Sequence, residues 1–349
     1  MAVPREGSGR PASIRDVAAA AGVSRQTVSN VLNGLPGMSE ETARRVRGVM
    51  AELGYRPHRA ARILASARHR TIGLITTAPT HFGPASIAIA IERAARRHGY
   101  QLAMVSALTE SDDDVAATID EIRWLGVDGL VVIAPQQRGW ELIRAGAGEL
   151  PTVTLQWREG PAHTVSLDQF EGAALAVRHL VELGHARILH LTGPEGWAEV
   201  DQRAEGYRRT LAAAGLAPLP LVHGDWTADS GYDRGREVLP GRDFTAVFAG
   251  NDQMAIGLLH AARELGVAVP GDLSVVGFDD IPEARHASPP LTTIRQEFGR
   301  LGEVAIDRIV ALIEGREADA GSVTDRTVLQ LRESTAPPRR PPNPRSTGR

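Results

Sequence analysis

Cysteine is absent from this chain of 349 residues. That excludes a disulfide scaffold, a thiolate-ligated zinc or iron–sulfur site and a cysteine nucleophile. Lysine is absent too, so Schiff-base chemistry and a phosphate-loop lysine are excluded. No apolar run approaches the roughly 20 residues of a membrane-crossing helix, and no membrane partner is expected. The first ten residues are polar and lack the apolar core of a secretion signal; the expected location is the cytoplasm. There is no Gly-x-Gly-x-x-Gly, no Walker-type loop and no Gly-x-Ser-x-Gly elbow. His179 and His185 are spaced oddly for a metal pair and read as structural. The expectation is no enzyme: no catalytic residue, no metal and no cofactor.

Length and charge say more. A chain of 349 residues exceeds one compact core, which points to two or three domains. Hydrophobic residues at 42% and charged residues at 23% exclude a disordered or fibrous chain. The net charge of −3 hides an asymmetry: residues 1–70 hold 12 Arg and five acids, a balance of +7, and the remainder carries −10. A basic head on an acidic body indicates an anionic partner for the head alone.

Residues 1–12 are rich in Gly, Pro and Arg and read as a disordered tail. From 13 to about 55 the pattern is helical. Ser13 with Asp16 resembles a capping box, with Asp in place of Glu, opening a helix over 14–20 that meets Gly22. Ser24 caps a second helix, 25–32, stopped by Asn33-Gly34. Ser39, followed by Glu40 and Glu41 at the positive end of the dipole, caps a third that ends at Leu53-Gly54. Val17, Ala18, Val23, Val28, Val31 and Leu32 pack the first two helices into a helix-turn-helix. Arg25, Gln26, Ser29, Asn30 and Asn33 are left on one face. Arg and Gln or Asn bond bidentately to guanine and adenine edges in the major groove. Ser24, Thr27 and Ser29 are short donors suited to phosphates. After Tyr55-Arg-Pro57, the segment 58–67 is long enough for about two helical turns, marginal alone. It carries His58, Arg59 and Leu64, the last suited to a minor-groove wedge; a plain linker is the other reading.

From Thr71 short apolar runs alternate with amphipathic stretches. Strands are expected over 72–76, 102–105, 129–133, 153–155, 164–167, 188–191, 246–249 and 274–277. Helices are expected over 87–98, 115–125, 140–145, 172–183, 203–214 and 254–265. Such alternation means parallel sheets covered by helices on both faces.

Two stretches carry a resemblance to a known family. Ile14-Arg-Asp-Val-Ala-Ala-Ala-Ala-Gly-Val-Ser-Arg-Gln-Thr-Val-Ser-Asn-Val-Leu-Asn-Gly34 and Ser39-Glu-Glu-Thr through Leu53-Gly-Tyr-Arg-Pro57 resemble the DNA-binding head of the LacI/GalR family of bacterial repressors. The body is similar to the lac-type branch at Gly224-Asp-Trp-Thr-Ala-Asp-Ser-Gly231, Ala249-Gly-Asn-Asp-Gln-Met-Ala255, Leu273-Ser-Val-Val-Gly-Phe-Asp-Asp280 and Pro290-Leu-Thr-Thr-Ile-Arg-Gln-Glu-Phe298.

The resemblance implies an α/β protein in which an N-terminal all-α helix-turn-helix head (13–56) is joined by a hinge helix or linker (57–70) to a body. That body (71–333) is two-lobed, periplasmic-binding-protein-like and built of parallel sheets. The first lobe would take about 71–166 and 296–326, the second 167–293 and 327–333, followed by a disordered tail over 334–349. Leu64 matches the leucine that opens the centre of the operator, and His58 stands where Asn is common. Asn30 stands where many members carry Arg; Arg prefers guanine and Asn prefers adenine at the facing operator bases. The pocket positions carried over are Gly83, Pro84, Ile87, Gln156, Leu167, Arg203, Trp226, Asn251, Gln253, Asp279 and Phe298. Gln156 departs from the Asp of lac-type members, and Trp157 and Trp197 add aromatic bulk near the cleft.

The function implied is a homodimeric repressor of sugar-utilisation genes, released from double-stranded palindromic operator DNA by a galactoside-like sugar. A pentose, nucleoside or purine corepressor is the alternative within the family, and a secreted sugar-binding protein the rival outside it. The tail Pro337-Pro338-Arg-Arg-Pro-Pro342 cannot continue as a tetramerising helix, so a dimer is expected.

Overall fold

The computed structural model describes residues 12–33, 38–55, 69–107, 111–134, 136–155, 163–316 and 323–339. His58, Arg59, Leu64, Gln156 and Trp157 lie outside those residues, as does the side chain of Asn33. The chain forms two compact units, 1–69 and 70–349.

The head holds α1 (Ile14–Ala21), α2 (Arg25–Asn33) and α3 (Glu40–Glu52). The Asp16 carboxylate accepts from the Ser13 backbone N–H at 2.8 Å, the reciprocal half of a capping box. Gly22 closes α1 in the left-handed region, and Ser24 Oγ accepts from the Thr27 N–H at 3.0 Å to start α2. Val17, Ala18, Ala21, Val28, Val31 and Val46 form the head's core, with Val23 and Leu32 partly buried against it.

The body's first sheet has six parallel strands in the order β11-β5-β4-β3-β1-β2: β1 (Thr71–Thr76), β2 (Gln101–Ser106), β3 (Gly129–Ile133), β4 (Thr152–Leu155), β5 (Thr164–Leu167) and β11 (Val323–Asp325). Every residue of β1 and β3 is buried, as both faces of an inner parallel strand must be. Alternation divides their side chains. Ile72, Leu74, Val131 and Ile133 face α4 (Phe82–Arg97) and α11 (Phe298–Ile313). Ile75, Leu130 and Val132 face α5 (Asp112–Trp124) and α6 (Gln137–Ala147).

The second sheet has the order β7-β6-β8-β9, with β6 (Ile188–Thr192), β7 (Val222–His223), β8 (Ala246–Ala249) and β9 (Ser274–Val276), all parallel. The helices α7 (Gln169–Glu182) and α8 (Ala198–Ala213) cover one face, where Tyr207 and Phe248 are fully buried. The other face is covered by α9 (Ala228–Val238) and α10 (Asp252–Glu264). A Cβ on Gly257 of α10 would lie 1.9 Å from the Ala228 carbonyl oxygen, so this helix pair packs backbone to backbone. β10 (Thr293–Arg295) and β12 (Val328–Gln330) pair antiparallel. The chain passes between the two sheets three times: β5 into α7, β10 into α11, and β11 into β12.

Several elements differ from the sequence reading. β7, α9, β10, α11, β11 and β12 were not among the expected elements. The helix expected from 87 begins at Phe82, because Pro84 in a first turn gives up no helical hydrogen bond. The disordered tail expected from 334 starts too early. Ser334 is fully buried, its Oγ donating to Val275 O and accepting from the Thr292 N–H, and Ala336 O meets Ser274 Oγ at 2.9 Å. His179 and His185 serve the same closure: His179 Nε2 lies 3.0 Å from Thr335 Oγ1, and His185 Nε2 lies 2.9 Å from Ala336 O.

Candidate functional site

Two sites stand out. The first is the outer face of α2. Ser24, Arg25 and Gln26 are exposed there, and Thr27, Ser29 and Asn30 are half-buried. Gln26 Nε2 donates to Asn30 Oδ1 at 2.9 Å, so two side chains able to read base edges hold each other one turn apart. Ser24 Oγ and Thr27 Oγ1 pair at 2.9 Å at the helix start, where backbone N–H groups and the dipole favour an anion.

The second is a cleft in the body. Seven of the carried-over pocket positions line it: Gly83, Pro84, Arg203, Trp226, Asn251, Asp279 and Phe298. Three others do not. Ile87 is fully buried in the core of the first sheet, one turn beyond Pro84. Leu167 belongs to the same core. Gln253 stands behind Asn251, accepting from its Nδ2 at 3.3 Å. The sequence missed His81, Phe82, Glu199 and Gln296, which also line the cleft with Trp197. Glu199 and Gln296 carry no signature of their own; each sits close to a residue already singled out, Arg203 and Phe298.

Local folding places each side chain. Arg203 projects from the second turn of α8, Asn251 is the N-cap of α10, and Asp279 follows β9. Trp226 has φ 74°, Asp279 106° and Asp280 57°. L-residues avoid this region, and strain held at neighbouring positions marks a site that the surrounding fold over-determines. A Cβ on Gly193 would fall 2.1 Å from the Trp226 ring, so that glycine makes room for the indole.

Four buried polar groups form a ring. Arg203 Nε donates to Gln169 Oε1 at 2.9 Å, Gln169 Nε2 to Gln296 Oε1 at 2.8 Å, and Gln296 Nε2 to Asp279 Oδ1 at 2.6 Å. The ring closes where Asp279 Oδ1 lies 3.9 Å from Arg203 Nη2. Gln169 and Gln296 stand at two of the three crossings between the sheets, so the clamp is tied to the segments that connect them. Burial pushes the Asp279 carboxyl up to about 6, opposed by Arg203 and the Gln296 hydrogen bond. Burial also pushes Glu199 up to about 7. Burial lowers the His81 pKa, against the pull of Asp225.

The walls are aromatic. His81 packs edge-on to Trp197 with centroids 5.3 Å apart, Trp197 edge-on to Trp226 at 5.6 Å, and Phe82 edge-on to Phe298 at 6.0 Å. Trp197 also bridges to Gln136, joining the α8 start to the end of β3. Flat apolar rings around a carboxylate, an amide and a guanidinium suit a small ligand with one apolar face and several hydroxyls. No group of side chains able to hold a metal ion occurs among the described residues.

Comparison with known proteins adds independent evidence. Residues 13–58 match the model for bacterial regulatory proteins of the lacI family, and residues 177–335 match a periplasmic binding protein-like domain. The lactose operon repressor of Escherichia coli K12 is 32% identical over 340 residues, 97% of this chain and 94% of that protein. The ribose operon repressor of the same strain is 35% identical over 309 residues, 86% of this chain and 92% of that protein. The transcriptional repressor PurR of Edwardsiella ictaluri is 34% identical over 335 residues, 93% of this chain and 97% of that protein. Among solved structures, the lac repressor dimer bound to operator and the anti-inducer ONPF superposes with a TM-score of 0.85 at 32% identity, covering 94% of this chain and all of that one. The regulator CelR in complex with cellobiose superposes at 0.70 with 30% identity, covering 93% of this chain and 99% of that one. The chain belongs to the LacI family of bacterial DNA-binding transcriptional repressors.

Proposed function

We propose that this repressor acts as a homodimer, reads a two-fold symmetric operator with the outer face of α2, and releases it when a sugar occupies the body cleft. Arg25, Gln26, Asn30 and Asn33 read base edges; Ser24, Thr27 and Ser29 hold phosphates. His58, Arg59 and Leu64 contact the operator centre. Asp279, Arg203 and Asn251 take ligand hydroxyls, Trp226 and Phe298 its apolar face, and Gln156 a hydroxyl through its amide. The observation that carries the reading is the buried Arg203–Gln169–Gln296–Asp279 ring, set among aromatic walls and tied to two crossings between the sheets. Ligand contacts there bias the angle between the sheets, and that angle sets whether the two hinges of the dimer meet over DNA. Moving a population from 1:99 to 99:1 takes about 5.5 kcal/mol of preference, and a marginal hinge needs less to tip. Ligand and DNA must then weaken each other reciprocally.

The test is selection of bound DNA from a random pool, with the solution mass of the free protein. A two-fold symmetric consensus and a mass of two subunits are expected; an asymmetric consensus or a mass near four subunits contradicts the reading. The relatives named for ribose and purine repression are at least as similar in identity as the lactose one. A pentose, nucleoside or purine effector is therefore the second reading. A corepressor would tighten DNA binding where an inducer loosens it.

A further inference from the structure

One acid in the cleft was not carried over by the resemblance: Glu199, the second residue of α8. It is 4% exposed, yet its Oε2 has no hydrogen-bond partner. Nε1 of Trp226, a residue 6% exposed, is likewise without an acceptor. Five buried side-chain polar atoms are left unsatisfied among the described residues, and two of them line this one cleft. A lone acceptor and a lone donor, both desolvated, call for a ligand that supplies the complements.

The charge around them is also unbalanced. Glu199 and Asp279 face one guanidinium, that of Arg203. Arg203 is already engaged: Nε donates to Gln169 Oε1, and Nη1 donates to the Gly250 carbonyl. His81 at the rim is held toward its neutral form by burial. Glu199 also occupies the first turn of α8, the positive helix end that an anionic ligand would otherwise take. A phosphate needs several free donors or cations; here Arg203 is committed to its protein partners, and Trp226 Nε1 is a single donor.

Resting on the sugar reading above, we infer that Glu199 sets the effector class. The cleft takes an uncharged, unphosphorylated sugar, one hydroxyl of which donates to Glu199 Oε2 while Trp226 Nε1 donates to an adjacent ligand oxygen. Burial, only partly offset by Arg203, raises the Glu199 pKa to about 7, which agrees with a site short of positive charge. A second anion would add repulsion from Asp279 to that shortage.

The experiment is a melting-temperature panel on the full chain, followed by calorimetric titration. The probes are galactose, glucose, cellobiose and ribose, together with galactose 6-phosphate, glucose 6-phosphate, ribose 5-phosphate and adenine. A parent sugar should raise the melting temperature and bind at least tenfold tighter than its own phosphate. E199A should bind that parent at least tenfold more weakly, and E199Q should narrow the ratio between parent and phosphate. The unliganded melting curve of each variant checks its fold, and the parent–phosphate comparison on the wild type needs no variant. A phosphate bound as tightly as its parent overturns the inference and leaves the sugar reading standing. So does an E199A that binds the parent as wild type does. A panel in which adenine alone, or nothing, shifts the melting temperature contradicts the sugar reading itself.

Discussion

Glu199 and Asp279 are buried acids whose folded pKa values lie above their ordinary ones, at about 7 and about 6. In each case the folded state holds a proton that the unfolded state releases. Their stabilising share is therefore full below the ordinary carboxylate range and is lost as pH rises through those values. His190 acts in the opposite sense: burial depresses it to about 3, so its share is present above pH 6.5 and lost as pH falls. The two trends overlap, and a difference between variants separates them. The stability of the wild type minus that of E199Q, from urea titrations without ligand, should fall between about pH 5 and 7.5 by on the order of 1–3 kcal/mol. A flat difference would mean that Glu199 is not desolvated. Ile87 makes the contrasting case. It was singled out as a ligand contact, but its side chain fills the core of the first sheet. Ile87→Ala should lower unfolding free energy by about 2–5 kcal/mol, the usual range for an isoleucine truncated in a packed core. Denaturant midpoints at constant slope would show it.

At the scale of elements, the helix pair α9 and α10 depends on glycine. With a Cβ 1.9 Å from the Ala228 carbonyl, Gly257→Ala must push α9 away. The expected loss is about 1–3 kcal/mol or more, as for other overpacked contacts, and a variant as stable as wild type would refute this packing. Glycine also explains why α9 was not legible: its own Gly231 and Gly235 weaken the helical signal, and tertiary contact rather than propensity holds it. β10, β11 and β12 were illegible because three residues are too few to show alternation. The inner strands and the caps of the head were legible, since continuous apolar runs and a Ser just ahead of each helical run are local signals. In the cleft Arg203, Asp279, Trp226 and Phe298 were found through the resemblance, whereas Glu199, His81, Phe82, Gln169 and Gln296 were not. An amide ring exists only after folding brings α7 beside the segment before α11. Gln169→Leu would leave Arg203 Nε and Gln296 Oε1 unpaired, at about 1–3 kcal/mol for each buried orphan. Thermal melting against Gln169→Glu, which restores an acceptor for Arg203, checks that estimate.

On the scale of the whole molecule, a basic head and an acidic body divide the work. The head's positive charge draws it to nucleic acid, so operator affinity should fall steeply with salt. Arg25→Ala should cost about 1–3 kcal/mol and relax discrimination at the bases it faces. Competition by altered operators at one salt concentration separates that loss from a general loss of phosphate contacts. In the proposed mechanism, occupancy of the body cleft changes the hold of the head on DNA. That mechanism is tested most directly by fluorescence anisotropy of the selected operator at fixed salt, with and without a panel of galactosides and other neutral sugars. One sugar should weaken operator binding tenfold or more, and Asp279→Ala should abolish the effect while leaving sugar-free binding intact. Operator affinity that no sugar changes, or that a purine tightens, would contradict the mechanism.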